Sequence, residues 1–469
     1  MVFSSILFMF IYLPVVLFLY YISPVRWRNP ILFVANLVFY GWGEPVFIVL
    51  MLFSITINYI NGLLIGRWRL TQQKKAKTVL VINVVINLAL LGFFKYYDLI
   101  AETLSLLPFI DIKPLGIALP IGISFYTFQT MSYPIDVYRG DTDVQRNYIS
   151  FGTFVALFPQ LIAGPIVRYK DVADQLGFRA SSIDQFSSGV ERFMVGVAKK
   201  VLIANSLGKL WDYYAAIPDG GLTVLGSWLG IIAFTLQIYF DFSGYSDMAI
   251  GLGQAFGFTF KENFNYPYIA QTMQEFWRRW HISLSTWFRE YVYIPLGGNR
   301  KGRLRTGLNK LTVFLLTGLW HGASWNFAVW GFYPASFLML ESYGALKPAK
   351  WPRALRHAYT LLAVTVGFVF FRAETMEHAL TLIGCMFTAW SLSPAALAEL
   401  SALVSPLCLV ALAVAAFACT PVLHRFGERL FARRPAAECA VYIAALLLAV
   451  LCALCLSTAA YNPFIYFRF

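Results

Sequence analysis

Long apolar runs constrain this chain more than any other feature. Ser5–Ser23, Thr78–Phe94, Leu222–Phe240, Tyr359–Phe371 with its flanks, Ser401–Cys419 and Cys439–Ala459 are the clearest. A bilayer's hydrocarbon core is about 30 Å thick and a helix rises about 1.5 Å per residue, so runs of about 18 residues span it. Inside lipid, every backbone N–H and C=O must be satisfied within the protein, and runs of this length achieve that as helices. The length rule gives about ten to twelve transmembrane segments, some of them short or broken. Composition agrees, since only 13% of the 469 residues are charged, about half the share in soluble domains. The expected fold is all-α and integral to a membrane, a single polytopic domain over residues 1–469.

A formal net charge of +13 would suggest nucleic acid in a soluble chain. Here the basic residues sit at the ends of apolar runs. They cluster at Arg26 and Arg28, at Arg67, Arg69, Lys74, Lys75 and Lys77, and at Arg300, Lys301, Arg303, Arg305 and Lys310, with two more clusters at Lys347–Arg356 and Arg425–Arg434. Basic loops stay cytoplasmic, so the expected partner is the lipid bilayer and not nucleic acid. Ala101–Ile112 and Asp212–Gly221, almost without basic residues, are placed outside. A hairpin from Pro30 to Ile65, turning at Gly41–Pro45, satisfies this topology. Met1–Ser5 carries no basic residue, and the first run ends near Arg26, which suits a first transmembrane helix rather than a cleavable signal. Cys452 and Cys455 form a CxxC inside an apolar run, with no second pair or nearby histidine to complete a zinc set. All six cysteines are therefore expected as small buried residues, and no metal site is expected.

Several breaks interrupt the apolar pattern. Phe151–Tyr169 is broken by Pro159 and by Gly164-Pro165, and a re-entrant hairpin is expected there. Pro120-Ile121-Gly122 breaks the preceding segment, which ends at Asp136 and Arg139. From Phe240 to Asn326 the pattern turns irregular, polar and aromatic, and residues 240–330 are the expected catalytic core. Glu262–Arg300 reads as helices at or dipping into the cytoplasmic face. Trp277, Trp280, Leu284, Trp287 and Tyr291 recur there at three- and four-residue steps, the spacing of one helical face. Arg278, Arg279, Arg289 and Glu290 fall off that stripe, and Pro295–Asn299 ends it with turn residues. Lys310–Glu341 is apolar again, interrupted at His321–Ser324. Glu44, Lys95, Lys199 and Lys200 read as snorkelling anchors, with tunnel residues as the alternative.

Two of the five histidines invite chemistry. His321 sits inside the apolar run Leu311–Trp330, and an ionisable residue at membrane depth faces protein or a water-filled cavity. Its unperturbed pKa of about 6.5 suits a general base; the alternative is a neutral ring bonded to one carbonyl. His281 would share a helical face with Trp277 and Ser285, as a functional group or as an interfacial ring in the aromatic stripe. His357, His378 and His424 lie beside charged residues near segment ends and read as interfacial or solvated. Asp241 and Asp247 do not share a face, which makes Asp241 a buried polar anchor or tunnel residue rather than half of an acid/base pair. No GxSxG elbow, HExxH, Walker loop or strand-borne GxGxxG competes.

Phe276–Ser285 (FWRRWHISLS), Trp287–Tyr293 (WFREYVY) and Leu319–Trp325 (LWHGASW) resemble the hallmarks of the membrane-bound O-acyltransferase family. The likeness is closer to its bacterial branch of alginate and peptidoglycan O-acetyltransferase membrane subunits. Met1–Ser5, Leu119–Tyr126, Ile135–Gly140, Phe158–Pro165, Tyr239–Asp247 and the end from Asn462 extend it along the chain. The resemblance implies a ring of spanning helices around a thin floor, with a tunnel to both faces. It implies His321 as the central catalytic histidine and His281 at a position where bacterial relatives often carry histidine. Relatives often have a further histidine after the Trp-Gly that follows, whereas here Trp330-Gly331-Phe332-Tyr333 leads to Pro334. A mechanism needing that third histidine is not available to this chain.

The reading that follows is acyl transfer across a membrane. An acetyl thioester, acetyl-CoA or an acyl carrier, enters from the cytoplasmic side near Arg278–Lys310, with no bound cofactor. An acceptor hydroxyl comes from outside, and His321 removes its proton. His281, Ser283 or Ser285 orients a substrate or polarises the carbonyl, and Trp277, Arg278, Arg279, Trp280, Trp320, Ser324 and Asp241 complete the expected substrate-binding set. The expected location is the bacterial cytoplasmic membrane, with an extracytoplasmic SGNH-type acetyltransferase partner. The acceptor is an alginate-like exopolysaccharide or peptidoglycan. The alternatives are D-alanyl transfer to teichoic acid by the same fold and a transporter or flippase of acyl or glycan intermediates, which broken helices and buried polar residues also suit.

Overall fold

The structure, a computed structural model, describes residues 1–179, 181–217, 221–391, 393–394, 406–423, 425, 427, 435–458 and 461–465. Every regular element among them is helical. His424 and most of the basic stretch Arg425–Arg434 lie outside the described residues. Contacts divide the chain into two compact units, Met1–Phe193 with Ser246–Lys261, and Met194–Tyr245 with Glu262–Phe469.

The first unit contains α1 (Leu13–Ile22), α2 (Arg28–Gly43), α3 (Ile48–Trp68), α4 (Gln73–Leu104), α5 (Ile123–Arg139), α6 (Tyr148–Ala156), α7 (Phe158–Leu161), α8 (Tyr169–Gly177) and most of α9 (Ile183–Ala198). The α2–α3 turn covers residues 44–47, later than the expected Gly41–Pro45, because α2 runs on through Gly43. Helix α5 starts after Gly122, whose φ of +77° suits a residue without a Cβ. The chain breaks at Leu157, between α6 and α7, so the interruption expected in Phe151–Tyr169 is present. Buried amides join α3 to α4. Asn58 and Asn87 exchange hydrogen bonds of 3.1 Å in both directions, Asn83 donates to Asn58 at 3.0 Å, and Asn61 donates to Asn83 at 2.7 Å. Such amides hold helices together where lipid offers no hydrophobic drive.

The second unit contains α10 (Asn205–Ala215), the start of α11 (Val224–Ala255), α12 (Met273–Arg279), α13 (Ile282–Phe288), α14 (Gly302–His321), α15 (Trp325–Tyr343), α16 (Arg353–Arg372), α17 (Met376–Thr388), α18 (Pro406–Ala418) and α19 (Pro435–Thr458). Helices α14 and α15 form a tight antiparallel pair. A Cβ on Gly318 would lie 2.2 Å from the Phe327 carbonyl oxygen, and one on Gly331 would lie 2.4 Å from that of Phe314. Only glycine lets the two backbones approach this closely.

By length and composition α3, α4, α11 and α16 can each cross a membrane, and shorter apolar helices occupy Phe8–Ile22, Cys408–Ala418 and Tyr442–Thr458. All six apolar runs of the sequence thus contain helix, although residues 401–405 and 459 lie outside the description.

Two expectations need correction. Lys95 and Lys200 are not snorkelling anchors, because they are only 8% and 2% exposed. Each finds polar partners inside the protein, so its ammonium need not reach the interface. Lys95 donates to Ser124 at 3.4 Å, and Lys200 lies 2.7 Å from Asp241. Nor does the stripe Trp277–Tyr291 lie on one continuous helix. Helix α12 stops at Arg279, His281 takes a left-handed backbone (φ 44°, ψ 55°), and α13 begins at Ile282. Asn263 causes the break by accepting the first amides of α13. Its backbone oxygen takes Ile282 N–H at 2.9 Å and its side-chain oxygen takes Ser283 N–H at 3.2 Å.

Candidate active site

His321 is the last residue of α14, and the chain turns at residues 322–324 before α15 begins. The ring is 5% exposed. Trp330 stands edge-on to it at 5.1 Å, Phe371 lies at 5.3 Å and Trp320 at 5.0 Å. The tight α14–α15 pair supplies Trp330, and α16 supplies Phe371. His281 is 2% exposed and its ring centre lies 6.4 Å from that of His321. The two histidines, 40 positions apart in sequence, are therefore neighbours in one buried aromatic setting. His281 is not the interfacial ring that the stripe would have made it.

Both histidines line a cavity of about 220 Å³. Its wall is mostly apolar, with Trp277, Trp280, Leu284, Phe288, Val313 and Phe314, and it also includes Arg278, Ser285, Arg289 and Lys310. Arg278, Ser285 and Arg289 are exposed, whereas the histidines are buried. The lining thus runs from solvent-facing guanidinium groups to sequestered imidazoles. Such a cleft can hold an anionic group at its rim and a reacting carbon near the rings.

The structure gathers only part of the expected set. Trp277, Arg278, Trp280, His281, Ser285 and His321 share the cavity. Arg279 turns away, donating to Glu275 at 3.0 Å and to the Asn265 carbonyl at 3.1 Å. Ser283 donates its hydroxyl to Asn263 at 2.9 Å. Trp320 packs on both histidine rings behind the wall, and Ser324 occupies the start of α15. Asp241 lies elsewhere, 1% exposed, paired with Lys200 and accepting Ile465 N–H at 2.8 Å. It acts as a polar anchor for the segment 461–465. Asp247 pairs with Arg192 at 2.9 Å. His357 meets the Ala270 carbonyl at 3.2 Å, away from the cavity.

Sequence reasoning missed Asn263. Asn263 sits in an irregular stretch with no periodic relation to His281, so spacing carries no signal for it. Lys310 ends the basic surface, Arg278–Lys310, near which the sequence expects the donor to enter, and it lines the cavity.

A chain whose described elements are all helical, with helices long and apolar enough to cross a membrane and a buried histidine beside a cleft, fits a membrane-bound enzyme. The chain belongs to the membrane-bound O-acyltransferase family, whose model matches residues 120–370. It is a multi-pass membrane O-acyltransferase. Its relatives include a probable alginate O-acetylase AlgI of Azotobacter vinelandii, 47% identical over 410 residues and covering 86% of this chain and 82% of the relative. A second AlgI of the same description, from Pseudomonas putida, is 43% identical over the full length of both chains. A peptidoglycan O-acetyltransferase of Helicobacter pylori is 34% identical, with 82% of this chain and 79% of the relative covered.

Proposed function

We propose that this protein moves an acetyl group from a cytoplasmic thioester to a hydroxyl, for O-acetylation of an extracytoplasmic polysaccharide of the alginate kind, with His321 as general base. The observation that carries this reading is the cavity that links exposed Arg278 and Arg289 to buried His281 and His321. Alginate is favoured over peptidoglycan by the higher identities to the alginate O-acetylases, 47% and 43% against 34%.

The chemistry follows from the residues. Acetyl-CoA suits the rim, because guanidinium groups bind phosphates through paired charged hydrogen bonds. The hydroxyl oxygen attacks the thioester carbonyl carbon as its proton passes to the His321 imidazole. The tetrahedral intermediate collapses with cleavage of the C–S bond, and the imidazolium returns the proton to the departing thiolate. General base help of this kind is worth roughly 10²- to 10⁴-fold. Holding both reactants in a mostly apolar cleft supplies a further share.

This reading sets the protein in a bacterial cytoplasmic membrane, with its basic loops inside. It includes about ten to twelve spanning segments in a ring around a thin floor, with a tunnel reaching both faces. A partner of SGNH type outside would carry the acetyl group on to sugar. The test is acetyl-thioester turnover by the purified protein with its partner, wild type against folded His321→Ala. A loss of about 10²-fold or more supports the reading. Full turnover by the mutant moves the base to His281, and no thioester cleavage by either protein sinks the donor assignment.

A further inference from the structure

We propose that Asn263 is a positioning residue that fixes His281 as its Nδ1–H tautomer, so that His281 serves the acyl-transfer site as a hydrogen-bond acceptor through Nε2. The proposal rests on the reading above that the histidine-lined cavity is where acyl transfer occurs.

The proton assignment follows from one backbone amide. Ser283 N–H can only donate, and it lies 3.2 Å from a side-chain atom of Asn263. That atom must therefore be the amide oxygen and not the nitrogen. The same oxygen lies 3.1 Å from His281 Nδ1. An amide oxygen can only accept, so Nδ1 carries the proton. A neutral imidazole then holds its lone pair on Nε2. Nε2 is buried and makes no hydrogen bond among the described residues. Asn263 is fully buried and takes no part in the cavity wall, whereas the His281 ring does. One edge of the ring is thus tied to Asn263, and the acceptor at Nε2 is left without a partner among the described residues.

Asn263 also sets where the ring stands. Its two oxygens take the amides of Ile282 and Ser283 and hold His281 in the left-handed turn. A residue that fixes both backbone and tautomer resembles the partner that orients a histidine in other acyl-transfer sites. In this state Nε2 cannot donate to a thioester carbonyl. It can accept from the incoming hydroxyl, which places His281 on the acceptor side of the reaction, next to the base His321.

The test uses the full chain, labelled with ¹⁵N-histidine and reconstituted in bilayers. Nitrogen NMR at neutral pH reads the tautomer of His281, identified by the signal that His281→Gln removes. The expected result is protonation at Nδ1 in the wild type. Asn263→Ala is expected to mix the tautomers and lower kcat about 10- to 100-fold, the usual scale for losing a histidine's orienting partner, with little change in KM for acetyl-CoA. Asn263→Asp keeps the acceptor oxygens and recovers most of that loss. Its carboxylate also favours the imidazolium, so the neutral acceptor form appears only at higher pH and the acidic limb of the pH–rate profile moves up. Wild-type His281 protonated at Nε2 overturns the proposal, and so does an unmoved acidic limb in Asn263→Asp. The NMR result does not depend on turnover. If His321→Ala retains full activity, the base assignment fails while the tautomer measurement still decides the role of Asn263.

Discussion

Breaking the Lys200–Asp241 pair should destabilise the protein more than it alters substrate binding. The two groups lie 2.7 Å apart, with side chains only 3% and 1% exposed. At an effective dielectric of about 20 their attraction is about 6 kcal/mol, and burying both charges offsets most of it. Removing one partner is different, because it leaves the other charge buried and unpaired. That costs about 3–5 kcal/mol. Here each group also holds the segment 461–465. Lys200 donates to the Pro463 carbonyl, Asp241 accepts Ile465 N–H, and Tyr245 stacks on Phe464 at 4.8 Å. Asp241→Leu and Lys200→Met should each lose about 3–5 kcal/mol and expose the segment 461–465 to proteolysis. The double mutant Lys200→Met/Asp241→Leu should lose much less than the sum, since no charge stays buried. The assay is a double-mutant cycle on unfolding in detergent, paired with limited proteolysis of the segment 461–465. Single losses below about 1 kcal/mol, or strictly additive losses, would refute the argument, because either means that the pair is not buried together.

Further outcomes follow from other contacts. Gly318→Ala puts a Cβ against the Phe327 carbonyl oxygen at 2.2 Å, so it should destabilise the α14–α15 pair by about 1–3 kcal/mol and lower turnover through His321; thermal unfolding and activity on one preparation check this. Arg278→Glu and Arg289→Glu should raise KM for acetyl-CoA, most strongly at low salt, and leave KM for a phosphate-free acetyl thioester unchanged. Burial alone would raise the Asp171 carboxyl, but hydrogen bonds from Arg168 and Lys261 outweigh it and hold its pKa below the usual value. Its contribution to stability is then complete above the unfolded value of about 3.9 and is lost as pH falls through the lower folded value. Asp171→Asn should accordingly flatten acid unfolding in that window and leave neutral-pH activity unchanged.

Much of this was legible in the sequence because membrane physics writes it there. Each apolar run contains helix, a turn that overlaps the expected Gly41–Pro45 separates two helices, and His321 ends a helix where its polar neighbours interrupt the run. The aromatic stripe misled, because three- and four-residue spacing cannot reveal a helix broken by a side chain from outside it. Asn263 is 18 residues before His281, and nothing local marks it as a cap. Buried lysines misled in the same way. Whether an ammonium snorkels or stays inside depends on a partner such as Asp241, 41 positions away from Lys200, and only the packing supplies that partner.

The same non-local contacts explain why the site forms where it does. Helix α14 could deliver His321 to many depths, but glycines at 318 and 331 lock its register against α15 and so bring Trp330 edge-on to the imidazole. His281 could not reach that ring from an unbroken helix, since Trp280 and Ser285 would then follow the regular face. The left-handed turn made by Asn263 redirects it, and the cost of that backbone state, of order 1–3 kcal/mol, is met by the amides and imidazole that Asn263 binds. Two independent devices, a glycine-locked helix pair and an asparagine-capped break, converge on ring centres 6.4 Å apart. Neither is needed to fill a core that leucine or phenylalanine would fill as well. Their convergence on titratable groups beside an arginine-rimmed cleft is what a reaction between a bound thioester and a hydroxyl requires.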